Sequence, residues 1–382
     1  MATQKVTEWR KLPISLTELC IETTLRCGQS FRWRKINEQW HCVLKGRLIS
    51  LKQDPTHLHY KVTWPTCTET PKHEHPQEVE VDTSVLLHNY FALSHSLTTL
   101  YAQWSLSDAN FARRAPAFTG IRILNQDAWE TLISFICSSN NNIARISQMV
   151  LKLCTHYGPY VATVEGEAFH DFPGPEALAG EGVEAHLRKL GFGYRAKYIA
   201  DTAACVAQVH GESWLLRLRN PSVPALGAAE EDISLKKEEG AEEKEPKAHK
   251  ALLTLPGVGP KVSDCVCLMG LGWGESVPID THVWQIAQRD YKFGGKGSKT
   301  KTLNKAMYEA VGDHFRKIWG PQAGWAQSVL FTANLKSFSE QAAGLEIEKK
   351  GVVKVEEESQ EELNRTPPSK RQQPERYDPV KG

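Results

Sequence analysis

One stretch holds residue types able to do chemistry together: Lys250-Ala-Leu-Leu-Thr-Leu-Pro256-Gly257-Val258-Gly259-Pro260-Lys261-Val-Ser-Asp-Cys265, followed by Val277-Pro-Ile-Asp280-Thr-His282. Glycine takes left-handed backbone angles cheaply, so residues 256–259 predict a tight turn. Pro260 suits the first position of a helix, where its missing N–H is no loss. The stretch therefore predicts a helix, a glycine hairpin, and a second helix with an open amino end whose inward face is Val262, Val266 and Met269. Bare glycines let another molecule approach the N–H groups of residues 257–259, and a helix amino end adds positive potential. That combination suits an anion such as a phosphate. Lys261 in the first turn opposes the helix dipole. Taken alone, Gly-x-Gly also fits an ordinary helix corner with a solvated lysine.

The elements that must position these groups sit in a chain of 382 residues, long enough for two domains and a sizeable core. The net charge of +1 hides an uneven distribution. Residues 220–246 hold 8 acidic and 3 basic residues, and residues 340–382 hold 10 and 8. Removing these from the 46 basic and 45 acidic residues of the whole chain leaves a body of 35 and 27, a net of +8. A basic body with acidic appendages suits a polyanionic partner. The 9 cysteines are scattered and contain no C-x-x-C, and no apolar signal segment opens the chain. A reducing cell interior is the expected compartment. No run approaches the ~18 apolar residues of a membrane span.

Residues 9–64 alternate or run apolar over short lengths, as in Phe31-Arg-Trp-Arg34, Trp40-His-Cys-Val-Leu44, Arg47-Leu-Ile-Ser-Leu51 and His59-Tyr-Lys-Val62. With turns at Asn37-Glu38-Gln39 and Lys45-Gly46, they predict an antiparallel sheet. Residues 65–82 are polar and predict a loop; its Cys67, His73 and His75 lack a fourth ligand at finger spacing, so no metal is expected. From about Val85 the period becomes helical. Trp129-Glu-Thr-Leu-Ile-Ser-Phe-Ile-Cys137 predicts a buried helix, and another resumes at Ile143. Asn140, Asn141 and Asn142 between them could cap that helix or face a polar ligand, with Arg145 one turn on. Gly191-Phe-Gly-Tyr194-Arg195-Ala-Lys197-Tyr198 combines aromatic faces with cations, which suits stacking on bases and neutralising phosphates. Residues 220–246 read as a disordered insertion. Residues 292–301 lack phosphate-loop spacing and read as a basic surface loop. Helices are expected over residues 303–319 and 325–335, and a charged disordered tail over 337–382.

Taken together, Leu255-Pro-Gly-Val-Gly-Pro-Lys261 and Asp280 nineteen residues later resemble the helix-hairpin-helix, Gly/Pro-rich-loop, aspartate (HhH-GPD) signature of DNA glycosylases. Within that superfamily the chain resembles the 8-oxoguanine DNA glycosylases, through Gly28-Gln-Ser-Phe-Arg-Trp33, Phe135-Ile-Cys-Ser-Ser-Asn-Asn-Asn-Ile-Ala-Arg145, Gly191-Phe-Gly-Tyr-Arg195, Val277-Pro-Ile-Asp-Thr-His282 and Gly324-Trp-Ala-Gln327-Ser-Val-Leu-Phe331. The likeness covers about residues 9–335 apart from the three loop regions, and six motifs in one order are highly specific. It implies an α+β fold: an N-terminal antiparallel-sheet (TBP-like) domain with helices at 9–115, a helical HhH-GPD domain at 116–336, and the tail.

The resemblance further implies a bifunctional enzyme of base excision repair that removes 8-oxoguanine opposite cytosine from duplex DNA and cleaves the abasic strand. Lys261 would be the nucleophile at C1′, forming a Schiff base once it has shed its proton. Asp280 would stabilise positive charge on the sugar. The base would be flipped into a pocket, between Phe331 and Cys265, with Gln327 on its Watson–Crick edge and the Gly28 carbonyl accepting the N7 hydrogen that guanine lacks. His282 would hold a phosphate. Asn140, Arg145 and Arg195 would contact the remaining cytosine, Tyr194 would wedge into the stack, and the N–H groups of Gly257, Val258 and Gly259 would hold the backbone. No iron–sulfur cluster or catalytic metal is implied, and a monomer without membrane attachment is expected, in the nucleus, with mitochondrial delivery left open.

Two positions depart from the pattern. Cys27 stands where serine is often found, and Asn334 where an acidic residue is usual, which bears on the charge support of His282. A relative acting on oxidised pyrimidines or mispaired adenine is the alternative enzyme; such relatives usually carry four clustered cysteines beyond the hairpin, whereas none follows Cys267 here. A module that only binds DNA would need neither Lys261 nor Asp280.

Overall fold

The short apolar segments near the start pair into one antiparallel sheet. Strands β1 Arg10–Pro13, β2 Arg34–Ile36, β3 Gln39–Leu44, β4 Arg47–Gln53 and β5 His57–Thr63 lie in the order β1-β5-β4-β3-β2. The computed structural model describes residues 5–65, 76–211, 213–227, 245–294 and 303–338. Asn37-Glu38 and Lys45-Gly46 all have positive φ, so both hairpins close with two-residue turns whose twist matches the strands. Ile36 thereby faces Gln39, and Leu44 faces Arg47.

Strands β3 and β4 run apolar because both sheet faces are covered. Cys42, Leu44, Ile49 and Leu51 join Leu58, Tyr60 and Val62 in one core with Leu86, Leu87 and Phe91. Val43 and Leu48 point the other way, onto Val161, Ala162 and Phe169 of a second hairpin, β6 Tyr160–Val164 and β7 Glu167–His170. That hairpin was not anticipated. Phe31-Arg-Trp33, expected as strand, lies before β2 instead. Phe31 packs edge-on against Phe135 at 5.6 Å, and the Arg32 guanidinium grips Glu130 at 2.6 and 2.8 Å, so these side chains belong to the helical half.

Helix α1 Pro76–Tyr90 starts inside the stretch expected as a loop, and Cys67, His73 and His75, from which no metal site was expected, lie outside the described residues. Helices α2 Leu97–Ser107, α3 Ala128–Ile136, α4 Ile143–Tyr157, α5 Arg195–Ala204, α6 Glu245–Leu252, α7 Pro260–Gly270, α8 Thr281–Tyr291, α9 Lys305–Trp319 and α10 Ala323–Asn334 carry the rest. Every residue of α3 is buried, as expected for a helix with no solvent face. It packs on α7, where a Cβ on Gly270 would lie 3.1 Å from Ala128 Cα.

The expected insertion at 220–246 is narrower than its composition suggested. The Asn220 N–H bonds the Leu271 carbonyl at 2.9 Å, and Arg219 donates to the carbonyls of Val223 and Pro224 and to those of Gly270 and the Asn125 side chain. Residues 228–244, 295–302 and 339–382 lie outside the described residues. Residues 335–338 belong to a second unit, in which the Phe338 N–H donates to the Leu335 carbonyl at 3.0 Å.

Candidate active site

The amino end of α7 is open: Gly259 caps it without a side chain, Pro260 follows, and the first turn holds no acid. Lys261 is half-buried, and its Nζ donates to Ser138 Oγ at 3.0 Å and stands 4.8 Å from the centroid of the Phe135 ring. It lines a cleft with Gly28, Cys265, Asp280, Gln327 and Phe331, all given site roles from sequence, and with Phe135, Met269 and Ser328, which were given none.

Each lining group is held by a local reason. Asp280 is the N-cap of α8: its Oδ1 accepts the N–H groups of His282 and Val283, each at 2.9 Å. Cys265 follows Lys261 by one turn, and burial pushes its thiol up to about 12 while Lys261 pulls it down, so it presents a protonated, apolar surface. Gln327 and Phe331 share one face of α10. The exposed His282 ring stands edge-on to Phe331, 6.0 Å away. Gly28 has φ +88°, a backbone that side chains rarely adopt, and a Cβ there would lie 2.9 Å from Ile143 Cδ1, so any larger residue is strained. Its neighbour Gln29 is a buried clamp. Gln29 Nε2 donates to the Arg122 carbonyl at 2.7 Å, and Gln29 Oε1 accepts the Leu124 N–H at 2.9 Å. Cys27 takes part as a hydroxyl could, donating to the Thr24 carbonyl and accepting from Gln29.

A second cluster surrounds the hairpin. Gly257 has φ +76° and sits against Tyr198, whose Cβ would be 2.6 Å from an added Cβ, whereas Gly259 faces open space. Val258 turns its side chain into the core. Tyr198 meets Tyr194 edge-on at 5.9 Å, and Tyr194 is exposed. The asparagines divide their tasks. Asn142 caps α4 through the Arg145 N–H, Asn141 bonds the Cys137 carbonyl, and Asn140 stays exposed with φ +47°. Arg145 is exposed, but Arg195 is buried, donating to the carbonyls of Ser139 and Asn140, with its Nε unpartnered. Asn334 accepts from Arg289 at 3.0 Å. Among the described residues no group of three or more His, Cys, Asp or Glu could hold a metal ion, and no helix is long and apolar enough to cross a membrane.

A glycine hairpin presenting a lysine to a cleft beside a helix-capping aspartate defines the class. Residues 133–310 match the family model of the HhH-GPD superfamily of base excision DNA repair proteins, and residues 11–132 match that of the 8-oxoguanine DNA glycosylase N-terminal domain. The chain is 38% identical over 350 residues to the N-glycosylase/DNA lyase of Saccharomyces cerevisiae, spanning 85% of this chain and 86% of that one. It is 35% identical over 333 residues to N-glycosylase/DNA lyase OGG1 of Arabidopsis thaliana, spanning 86% and 80%. It therefore belongs to the N-glycosylase/DNA lyase family of 8-oxoguanine glycosylases. The solved structure of MBOgg1 with a low-affinity DNA ligand superposes with a TM-score of 0.66 at 25% identity, covering 87% of this chain and 98% of the other. The fold is shared with Clostridium acetobutylicum 8-oxoguanine glycosylase/lyase bound to duplex DNA with cytosine opposite 8-oxoguanine, at a TM-score of 0.65, 21% identity, and coverage of 87% and 98%.

Proposed function

We propose that this protein excises 8-oxoguanine paired with cytosine from duplex DNA and then cleaves the strand at the abasic site, with Lys261 as nucleophile. The observation that carries this reading is the Lys261 amine, lining one cleft with Asp280, Cys265, Gln327 and Phe331. A base within the duplex is out of reach and is first flipped into that cleft. Phe331 and Cys265 then stack on its two faces, Gln327 bonds its Watson–Crick edge, and the Gly28 carbonyl accepts the N7 hydrogen. A site built around a hydrogen bond rejects a ligand that cannot make it, so guanine is left alone.

As the glycosidic bond breaks, the sugar gains positive charge that Asp280 stabilises. The neutral Lys261 amine adds at C1′, and the resulting Schiff base permits β-elimination of the 3′ phosphate. The bare N–H groups of residues 257–259 and His282 hold the DNA backbone without reading sequence. Asn140, Arg145 and Arg195 hold the cytosine left behind, and Tyr194 fills the gap. No metal or other cofactor enters this chemistry. Nuclear delivery belongs to the same proposal, and cell fractionation tests it.

Borohydride reduction during turnover tests the mechanism. The protein should form a covalent adduct with duplex containing 8-oxoguanine opposite cytosine, and Lys261→Gln should form none; an undiminished adduct in that variant would overturn the assignment. Arg145→Ala should relax the preference for cytosine, and equal processing of all four opposing bases by the unaltered protein would remove the role given to the Asn140 loop.

A further inference from the structure

Tyr308 belongs to none of the motifs that marked the site. Its hydroxyl donates to Asp264 Oδ2 and accepts the N–H of Ile279 at 3.3 Å. Asp264 lies three residues beyond Lys261 on α7, and Ile279 is the residue before Asp280, so one hydroxyl joins the helix of the proposed nucleophile to the backbone of the proposed carboxylate. The other Asp264 oxygen lies 3.3 Å from His249 Nε2 on α6, and the His249 carbonyl accepts from Ser263 Oγ at 2.9 Å. Both hairpin helices are thus locked to the same point.

Asp264 is 5% exposed, and a carboxylate there is tolerated only because it is paired. Burial and the neighbouring carboxylate push the Tyr308 hydroxyl far above its ordinary value, so it remains a donor. Neither Asp264 nor Tyr308 lines the Lys261 cleft. This buried polar group is therefore not explained by contact with a base.

We infer that Tyr308 is a positioning residue: through Asp264 and the Ile279 N–H it sets the placement of Asp280 relative to Lys261. The inference rests on the function proposed above. Misplacing a reacting group by about 1 Å can cost on the order of a hundredfold in rate. Because Asp280 acts on charge that develops only as the base leaves, the network governs base removal more than cleavage of an existing abasic site.

The test measures single-turnover base removal, cleavage of a preformed abasic site, and duplex affinity for the unaltered protein, Tyr308→Phe, Asp264→Asn and the double variant. Tyr308→Phe should slow base removal by about tenfold or more, with affinity and abasic-site cleavage near normal. Asp264→Asn should act alike, and the double variant should be no worse than the slower single one, as for residues acting as one unit. Base removal at the normal rate in a folded Tyr308→Phe would overturn the inference, as would equal slowing of both reactions, a loss confined to affinity, or failure of both single variants to fold. An inactive unaltered protein would overturn the functional reading as well; an active one beside an unaffected Tyr308→Phe would overturn this inference alone.

Discussion

The sheet and the hairpin cleft handle buried polar groups in opposite ways. Around the sheet and where it meets α3, such groups are closed off by the protein itself: His41 bonds Ser50 at 2.9 Å, the Trp33 indole bonds Tyr90 at 2.8 Å, and Arg32 is clamped by Glu130. At the cleft and around the hairpin, Lys261 bonds the Ser138 hydroxyl, the first turn of α7 lacks a capping side chain, and His282, Asn140 and Arg145 are exposed. A sealed region gains stability from its polar contacts. The cleft leaves comparable groups available to a ligand, which is what an enzyme site requires and what a folding core avoids.

Lys261→Gln should sharpen this contrast most: activity should vanish while denaturant unfolding shifts by no more than about 0.5 kcal/mol. Glu130→Ala should do the reverse, leaving the buried Arg32 with only its longer 3.4 Å contact to Asp171, at a cost of up to about 3–5 kcal/mol, with excision per folded molecule unchanged; a normal unfolding midpoint would break the comparison.

Acid should act on the sheet next. Burial holds the His41 imidazole down to about 4, so the folded state binds fewer protons than the unfolded state. The stability from neutral His41 is complete above an unfolded value of about 6.5 and is lost as pH falls towards 4, by about 3 kcal/mol at most. Urea midpoints between pH 7 and 4.5 should show the decline, flattened in His41→Gln. The smallest contrast lies within the hairpin. Gly257→Ala meets both a left-handed backbone and Tyr198 and should cost about 1–2 kcal/mol. Gly259→Ala should leave the melting temperature unchanged yet weaken duplex binding, because its methyl group would fill the open space proposed here to receive the DNA backbone.

The hairpin, Lys261 and Asp280 were legible because glycine, proline and a capping aspartate act through local backbone chemistry. Ser138 was not, since it meets Lys261 across 123 residues, and neither was Tyr308, whose partners lie on two other segments. The Phe31-Arg-Trp33 run had the right hydrophobicity for a strand but divides its side chains between two cores. The β6–β7 hairpin did leave a sign, an apolar run ending in Glu165-Gly166, both of positive φ in the structure. The expected disorder at 220–246 followed composition, which does not register that Arg219 and Asn220 fasten the first residues of that stretch.

That fastening has a consequence for sequence change. Arg219 binds the Gly270 carbonyl at the far end of the helix that carries Lys261, and α6 picks up the chain again at Glu245. The segment between therefore leaves from and returns to anchored ground, so residues can be gained or lost there without the change in length being transmitted to the hairpin. Changes in length or charge between Gly227 and Glu245 should therefore be tolerated with the hairpin and the Lys261 helix left in place.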